Sequence, residues 1–250
     1  MIKVEVIVVE YLIIFCIGLL ATTIGTIAGS GGLISLPAML TLGMPVHSAI
    51  GANKVSNTFS SFSSFYLVYR LKKITFHEAF KIVPISIVGG VTGGLVATSI
   101  SENMMYRVAI GLLLFAFIAS FFGKGSFTED TKFKLNKKRF SILYAIGIYD
   151  GMFGPGQGTL MMHYFSFIKI SYMKSIGLAR AATFSSCFGA ALSYIAAGDI
   201  LWGLTICLLF GSLTGAQVGV RLASRIKKEQ VKPILRIVTA AFIVYLLFTL

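Results

Sequence analysis

Charge is what this sequence has least of. Only 12% of its 250 residues are Asp, Glu, Lys or Arg, against about 25% in soluble domains. Acidic residues are the scarcest, 9 Asp and Glu against 22 Lys and Arg. A soluble globular domain is therefore excluded. The 3 histidines and 3 cysteines have no metal-ligand company and no CxxC occurs, so no metal, cofactor or disulfide framework is indicated. Also absent are a P-loop, an HExxH helix, paired carboxylates and a Ser/His/Asp order in a recognisable context. These absences count against an enzyme. A membrane-embedded enzyme would need His163 or Asp150 as a lone general base, and an assembly factor has no motif of its own to claim.

Apolar length is what is present. The chain is 56% hydrophobic, with mean hydropathy +0.86. A helix needs ~20 apolar residues to cross a bilayer. Runs of that order occupy 6–27, 48–69, 80–99, 106–122, 140–153, 173–197, 201–220 and 234–250. Two further runs, 33–42 and 159–168, are too short to span unaided. The expectation is an all-α polytopic membrane protein with eight full helices and two short ones, or ten crossings. The first run could imitate a signal peptide, but it leads into a glycine turn and not into a cleavage site. Cys16, Cys187 and Cys207 lie inside apolar runs, where a small packing residue is expected.

The net charge of +13 is gathered, not diffuse. Arg70, Lys72, Lys73 and Lys81 form one group, Lys124, Lys132, Lys134, Lys137, Lys138 and Arg139 a second, and Arg221, Arg225, Lys227 and Lys228 a third. The loops between them, 99–103 and 197–199, carry no Lys or Arg. That alternation is the positive-inside pattern. It puts the basic loops in the cytoplasm of a cell-membrane protein and argues against nucleic acid as a partner.

The chain also repeats itself. Gly29-Ser30-Gly31-Gly32 is echoed by Gly154-Pro155-Gly156-Gln157-Gly158. Each glycine run is followed by a short apolar stretch, then by Ile-Gly and a cation: Ile50-Gly51-Ala52-Asn53-Lys54, and Ile176-Gly177-Leu178-Ala179-Arg180. Gly89-Gly90-Val91-Thr92-Gly93-Gly94 parallels Gly211-Ser212-Leu213-Thr214-Gly215-Ala216. The reading is one membrane body in two repeats, 1–123 and 140–250, joined by a basic cytoplasmic linker, 124–139. With the basic loops inside, 48–69 runs inward and 173–197 runs outward, so the repeats are inverted. Each holds about four full helices and one short or re-entrant helix. Inverted repeats that meet near the midplane are a recurrent transporter plan.

The glycine turns and the two cations are the candidate solute site. Unwound backbone at membrane depth is tolerated only where it is buried in protein or lines a cavity. The helix starts that follow carry free N–H groups and partial positive charge, which suit a small anion. Ser30 is placed to cap the first short helix. The candidates are Gly29, Ser30, Gly31, Gly32, Asn53, Lys54, Asn57, Gly154, Gly156, Gln157, Gly158, Arg180 and Thr183. Two readings stand for each cation, anion attraction and snorkelling to the interface. Asp150 has no acidic counterpart in the first repeat, where Gly25 aligns. It could pair with Arg180 or Lys54, or take up a proton. For Gly89, Gly90, Gly93, Gly94, Gly211 and Gly215, close helix packing is the expectation. His163, His47 and Cys187 are expected to be structural, with contact of Cys187 or His163 to the solute left open.

At these residues the chain resembles the sulfite exporter TauE/SafE family of membrane permeases. The resemblance is carried by Gly29-x-Gly31-Gly32 with Pro37, by Leu42-Gly43-Met44-Pro45, by Ala49-Ile50-Gly51-Ala52-Asn53-Lys54, and by Tyr149-Asp150-Gly151-Met152-Phe153-Gly154-Pro155-Gly156-Gln157-Gly158. It implies a transporter of small sulfur-containing anions (sulfite, sulfonate or thiosulfate-like), with other organic acids, carboxylates included, left open. The expected partners are a small anionic solute and the lipid bilayer. A homodimer is left open too. Export by alternating access at a midplane site between the two glycine turns is the expected mechanism.

Overall fold

The computed structural model describes residues 2–29, 31–121, 133, 135–223, 225 and 228–249. Among them every regular element is a helix: α1 (Ile2–Ala28), α2 (Gly32–Thr41), α3 (Val46–Arg70), α4 (Phe76–Phe80), α5 (Val83–Thr98), α6 (Glu102–Ala119), α7 (Lys137–Met152), α8 (Gln157–Phe167), α9 (Tyr172–Ala197), α10 (Trp202–Ala223) and α11 (Lys228–Thr249). The all-α expectation stands. Ser30, and 124–132 and 134 of the basic linker, lie outside the described residues. Helix α7 starts at Lys137, three residues inside the expected linker. Asn136 sets that start, since its side chain accepts from the Arg139 amide at 2.8 Å and caps the helix.

Among the described residues, four stretches are long and apolar enough to cross a membrane: Val9–Ala28, Phe76–Thr98, Glu102–Ala119 and Trp202–Ala223. Helices α3 and α9 have the length but not the apolarity. At 1.5 Å per residue, their 25 and 26 residues extend roughly 38 Å. Their polar residues are instead turned inward. Asn53, Lys54, Ser56, Thr58, Ser60, Ser61 and Ser64 of α3 are buried, as are Thr183, Ser185, Ser186 and Ser193 of α9. The two helices pack on each other and bring that polar material to the middle of the protein.

The main helix pairs are α1 with α10, α5 with α7 and α9, and α3 with α9 and α10. Each joins a helix from before the linker to one from after it. The packing works through glycine. A Cβ on Gly90 of α5 would collide with the Ser186 carbonyl of α9, and one on Gly93 with the Ile148 carbonyl of α7. On α10, Gly211 and Gly215 meet the Phe15 and Leu19 carbonyls of α1 in the same way. The packing expectation for these glycines therefore holds. In lipid, helix association rests on such close backbone approach.

Polar contacts fix the helix ends. His47 at the start of α3 is buried, with Nδ1 2.5 Å from Glu102 Oε2 and Nε2 3.1 Å from the Ala97 carbonyl. The Val46 amide donates to the same carboxylate. At another end of the bundle, Thr75 and Glu78 form a capping box on α4, and Glu78 pairs with Lys174 of α9 at 2.6 Å. His47 is thus structural, as expected. Cys16 is exposed on the outer surface, contrary to the packing role expected of it.

Candidate functional site

The two glycine turns meet. A Cβ on Gly158 would strike the Gly29 carbonyl, and one on Gly32 would lie 3.1 Å from Pro155 Cα. Gly29 has φ +93°, which glycine alone adopts at little cost, and this ends α1. Gly31 has helical φ −62°. It must be glycine for a different reason, since a Cβ there would sit 2.5 Å from the Ala21 carbonyl. Gly31 is also the N-cap of α2, and no side chain caps that helix. Gly156 holds the same place before α8, again with no side-chain cap. Two helix N-termini with uncapped amides therefore arrive at one place.

Between them is a cavity of about 40 Å³. A water needs ~10–15 Å³ on this measure, so the space suits a few heavy atoms. Gly29, Gly31 and Gly32 line it from the first turn, and Gly154, Gln157 and Gly158 from the second. Of the other predicted residues, Asn53 and Asn57 of α3, Thr183 and Arg180 of α9, and Asp150 of α7 line it too. Thr22, Gly25 and Thr26 of α1, Met162 of α8, and Ile176 and Ala179 of α9 also line it, and sequence reasoning missed them. Their only available signal was position, within two turns of a glycine run or a cation. Gly156 does not line the cavity and packs toward Ala116. His163 and Cys187 do not line it either.

The two cations are placed alike and partnered differently. Counting from Val46 and from Tyr172, each is the ninth residue of its helix. Lys54 is 1% exposed and is not itself part of the cavity lining. Its Nζ lies 3.1 Å from Asp150 Oδ1 and also donates to the Asp150 carbonyl. That burial rules out snorkelling for Lys54. Ser186 donates its hydroxyl to Asp150 Oδ2, and the Cys187 thiol stands 3.6 Å from it. Of the pairings open in the sequence, Asp150 makes the one with Lys54.

Arg180 lines the cavity and makes no ion pair or hydrogen bond with any described residue. Beside it, Gln157 accepts from the Thr183 hydroxyl through Oε1 at 2.8 Å. Its Nε2 is buried and without a partner among the described residues. Asn53 donates to Ser35 Oγ at 2.6 Å, and Asn57 donates to Asn53 Oδ1. Among the described residues, the cavity lining thus holds one cation without an ion pair and is met by two helix N-termini, and Gln157 of the same lining carries a buried, unmatched amide. Buried polar groups left unmatched by the protein are costly, and these point to an acceptor-rich, negatively charged occupant. Among the described residues no group of His, Cys, Asp and Glu could hold a metal ion.

A membrane-embedded helical body around a small polar cavity is the architecture of a solute carrier. The chain belongs to the sulfite exporter TauE/SafE family, whose model matches residues 14–246. It is similar to a "Probable membrane transporter protein" of Haemophilus influenzae, 29% identical over 91% of this chain and 90% of that one. A Sinorhizobium protein with a like name is 30% identical over 94% of this chain and 91% of its own. One from Escherichia coli is 25% identical, over 94% and 89%. No solved structure matches the chain. The protein is a multi-pass membrane protein of a transporter family.

Proposed function

We propose that this protein exports small sulfur-containing anions such as sulfite, sulfonates or thiosulfate, by alternating access around the cavity between the glycine turns. The unpaired guanidinium of Arg180 carries the reading. An isolated charge in the bilayer interior costs at least ~2.5–3.5 kcal/mol, and an anion in the cavity would offset that cost. Gln157 Nε2 and the starts of α2 and α8 would supply further donors. The sulfur chemistry comes from the family, and the small cavity agrees with it.

The halves act as inverted repeats in the plasma membrane, with the basic loops cytoplasmic. Support comes from the charge alternation and from the matched positions of Lys54 and Arg180. Asn53 and Asn57 flank Lys54 at the same offsets as Ala179 and Thr183 flank Arg180, and all four line the cavity. Asp150 is occupied by Lys54, which favours pairing over proton carriage. Export then needs no coupled proton, because the inside-negative potential drives an anion outward by ~2.3 kcal/mol per charge per 100 mV.

Sulfite flux into proteoliposomes at set potentials tests this, comparing wild type with Arg180→Gln. Saturable flux that follows the potential, and is lost in the folded variant, is the expected result. Flux indifferent to voltage and driven by a pH gradient would overturn uniport. Silence across sulfite, sulfonates, thiosulfate and carboxylates would overturn anion transport itself.

A further inference from the structure

The charges around the cavity also bear on how much negative charge it accepts. Arg180 lines it with a free positive charge, and Asp150 lines it with a negative one. Lys54 stands behind Asp150, 3.1 Å from Oδ1, and is not itself part of the lining. Ser186 and Lys54 each donate to a carboxylate oxygen of Asp150, and those donors fix its orientation. Lys54 and Asp150 cancel, which leaves one positive charge for the solute.

Resting on the anion-transport reading, we infer that Asp150 is a charge filter that confines the solute to a single negative charge. A monoanion completes the balance against Arg180. A dianion leaves one charge unanswered in a site of low dielectric and turns its second charge toward Asp150. Like charges brought together in such a setting are strongly disfavoured. The occupant is therefore a sulfonate, or the singly charged form of sulfite, in preference to a doubly charged oxyanion. The filter is asymmetric, since the first half has Gly25 where the second has Asp150.

The test is uptake of ³⁵S-labelled methanesulfonate and of ³⁵S-labelled sulfate into proteoliposomes held at zero potential, so that the electrical driving force favours neither. Wild type should carry methanesulfonate over sulfate by about tenfold or more. Asp150→Asn should lower that ratio by a similar factor, because the site gains a positive charge. The double variant Lys54→Gln/Asp150→Asn returns the charge to its starting value and should restore the preference. Should Asp150→Asn alone fail to fold, the wild-type ratio still tests the idea. Comparable rates for both anions in wild type would overturn the filter and leave anion transport standing. So would a ratio that either variant fails to move in the stated direction. If wild type carries neither anion, the filter falls, since methanesulfonate is the monoanion it should admit, while the transport reading is decided by the wider panel of sulfite, thiosulfate and carboxylates.

Discussion

Arg180→Gln keeps a hydrogen-bonding side chain at the cavity and removes its charge. Solute flux should fall at least ~100-fold, a loss of the size that a buried charge-assisted contact carries, while the melting temperature in detergent holds or rises. A variant that melts early would mean that Arg180 supports the fold instead. Lys54→Gln should behave in the opposite way. It strands Asp150 as an unpaired buried carboxylate, at ~3–5 kcal/mol. The double variant Lys54→Gln/Asp150→Asn should recover most of that loss in the same melt. Both cations stood out in the sequence as charges at equal places in matched segments. Which of them is free did not, because Asp150 lies 96 positions from Lys54 and its two candidate partners are equivalent along the chain. Gln157 was legible as a helix-start residue. Its empty Nε2 follows from where Thr183 falls, 26 positions on.

Helices here are joined by close approach of backbones, so their glycines should not be interchangeable. Gly90→Leu and Gly211→Leu drive a side chain into the Ser186 and Phe15 carbonyls respectively. Overpacking costs ~1–3 kcal/mol or more, and both variants should lose folded protein on size-exclusion chromatography. Gly111 of α6 has nothing within 4 Å of the place its Cβ would take. Gly111→Ala should therefore hold or raise the melting temperature, by up to ~1 kcal/mol of helix propensity. An equal effect at all three positions would overturn this account of the packing. The glycine runs and the long and short apolar segments were readable, because each is a local pattern. The reduced apolarity of α3 and α9 makes sense only once they are seen packed on each other around a polar centre.

For the whole molecule, the prediction is electrical. A uniporter of a monoanion at equilibrium follows the membrane potential, and 100 mV of ~2.3 kcal/mol per charge amounts to about a fiftyfold concentration ratio. Accumulated label measured against a potassium diffusion potential should reach that order, and a ratio fixed near one would rule the mechanism out. Composition and run length by themselves determined that the chain is helical and lives in a membrane, since too little charge and this much apolar length leave no other solvent for it. Repetition and charge placement pointed to where a site could be, and the proposal of an anionic solute starts from them. The tertiary structure alone decided that helices from before and after the linker interleave, and that Gly156 stands outside the cavity. It alone decided that Asp150 answers Lys54 while Arg180 is left open. The physical reason is one of range. Periodicity and composition act along neighbouring residues, whereas a buried charge is matched through space by whichever group the packing brings within about 3 Å.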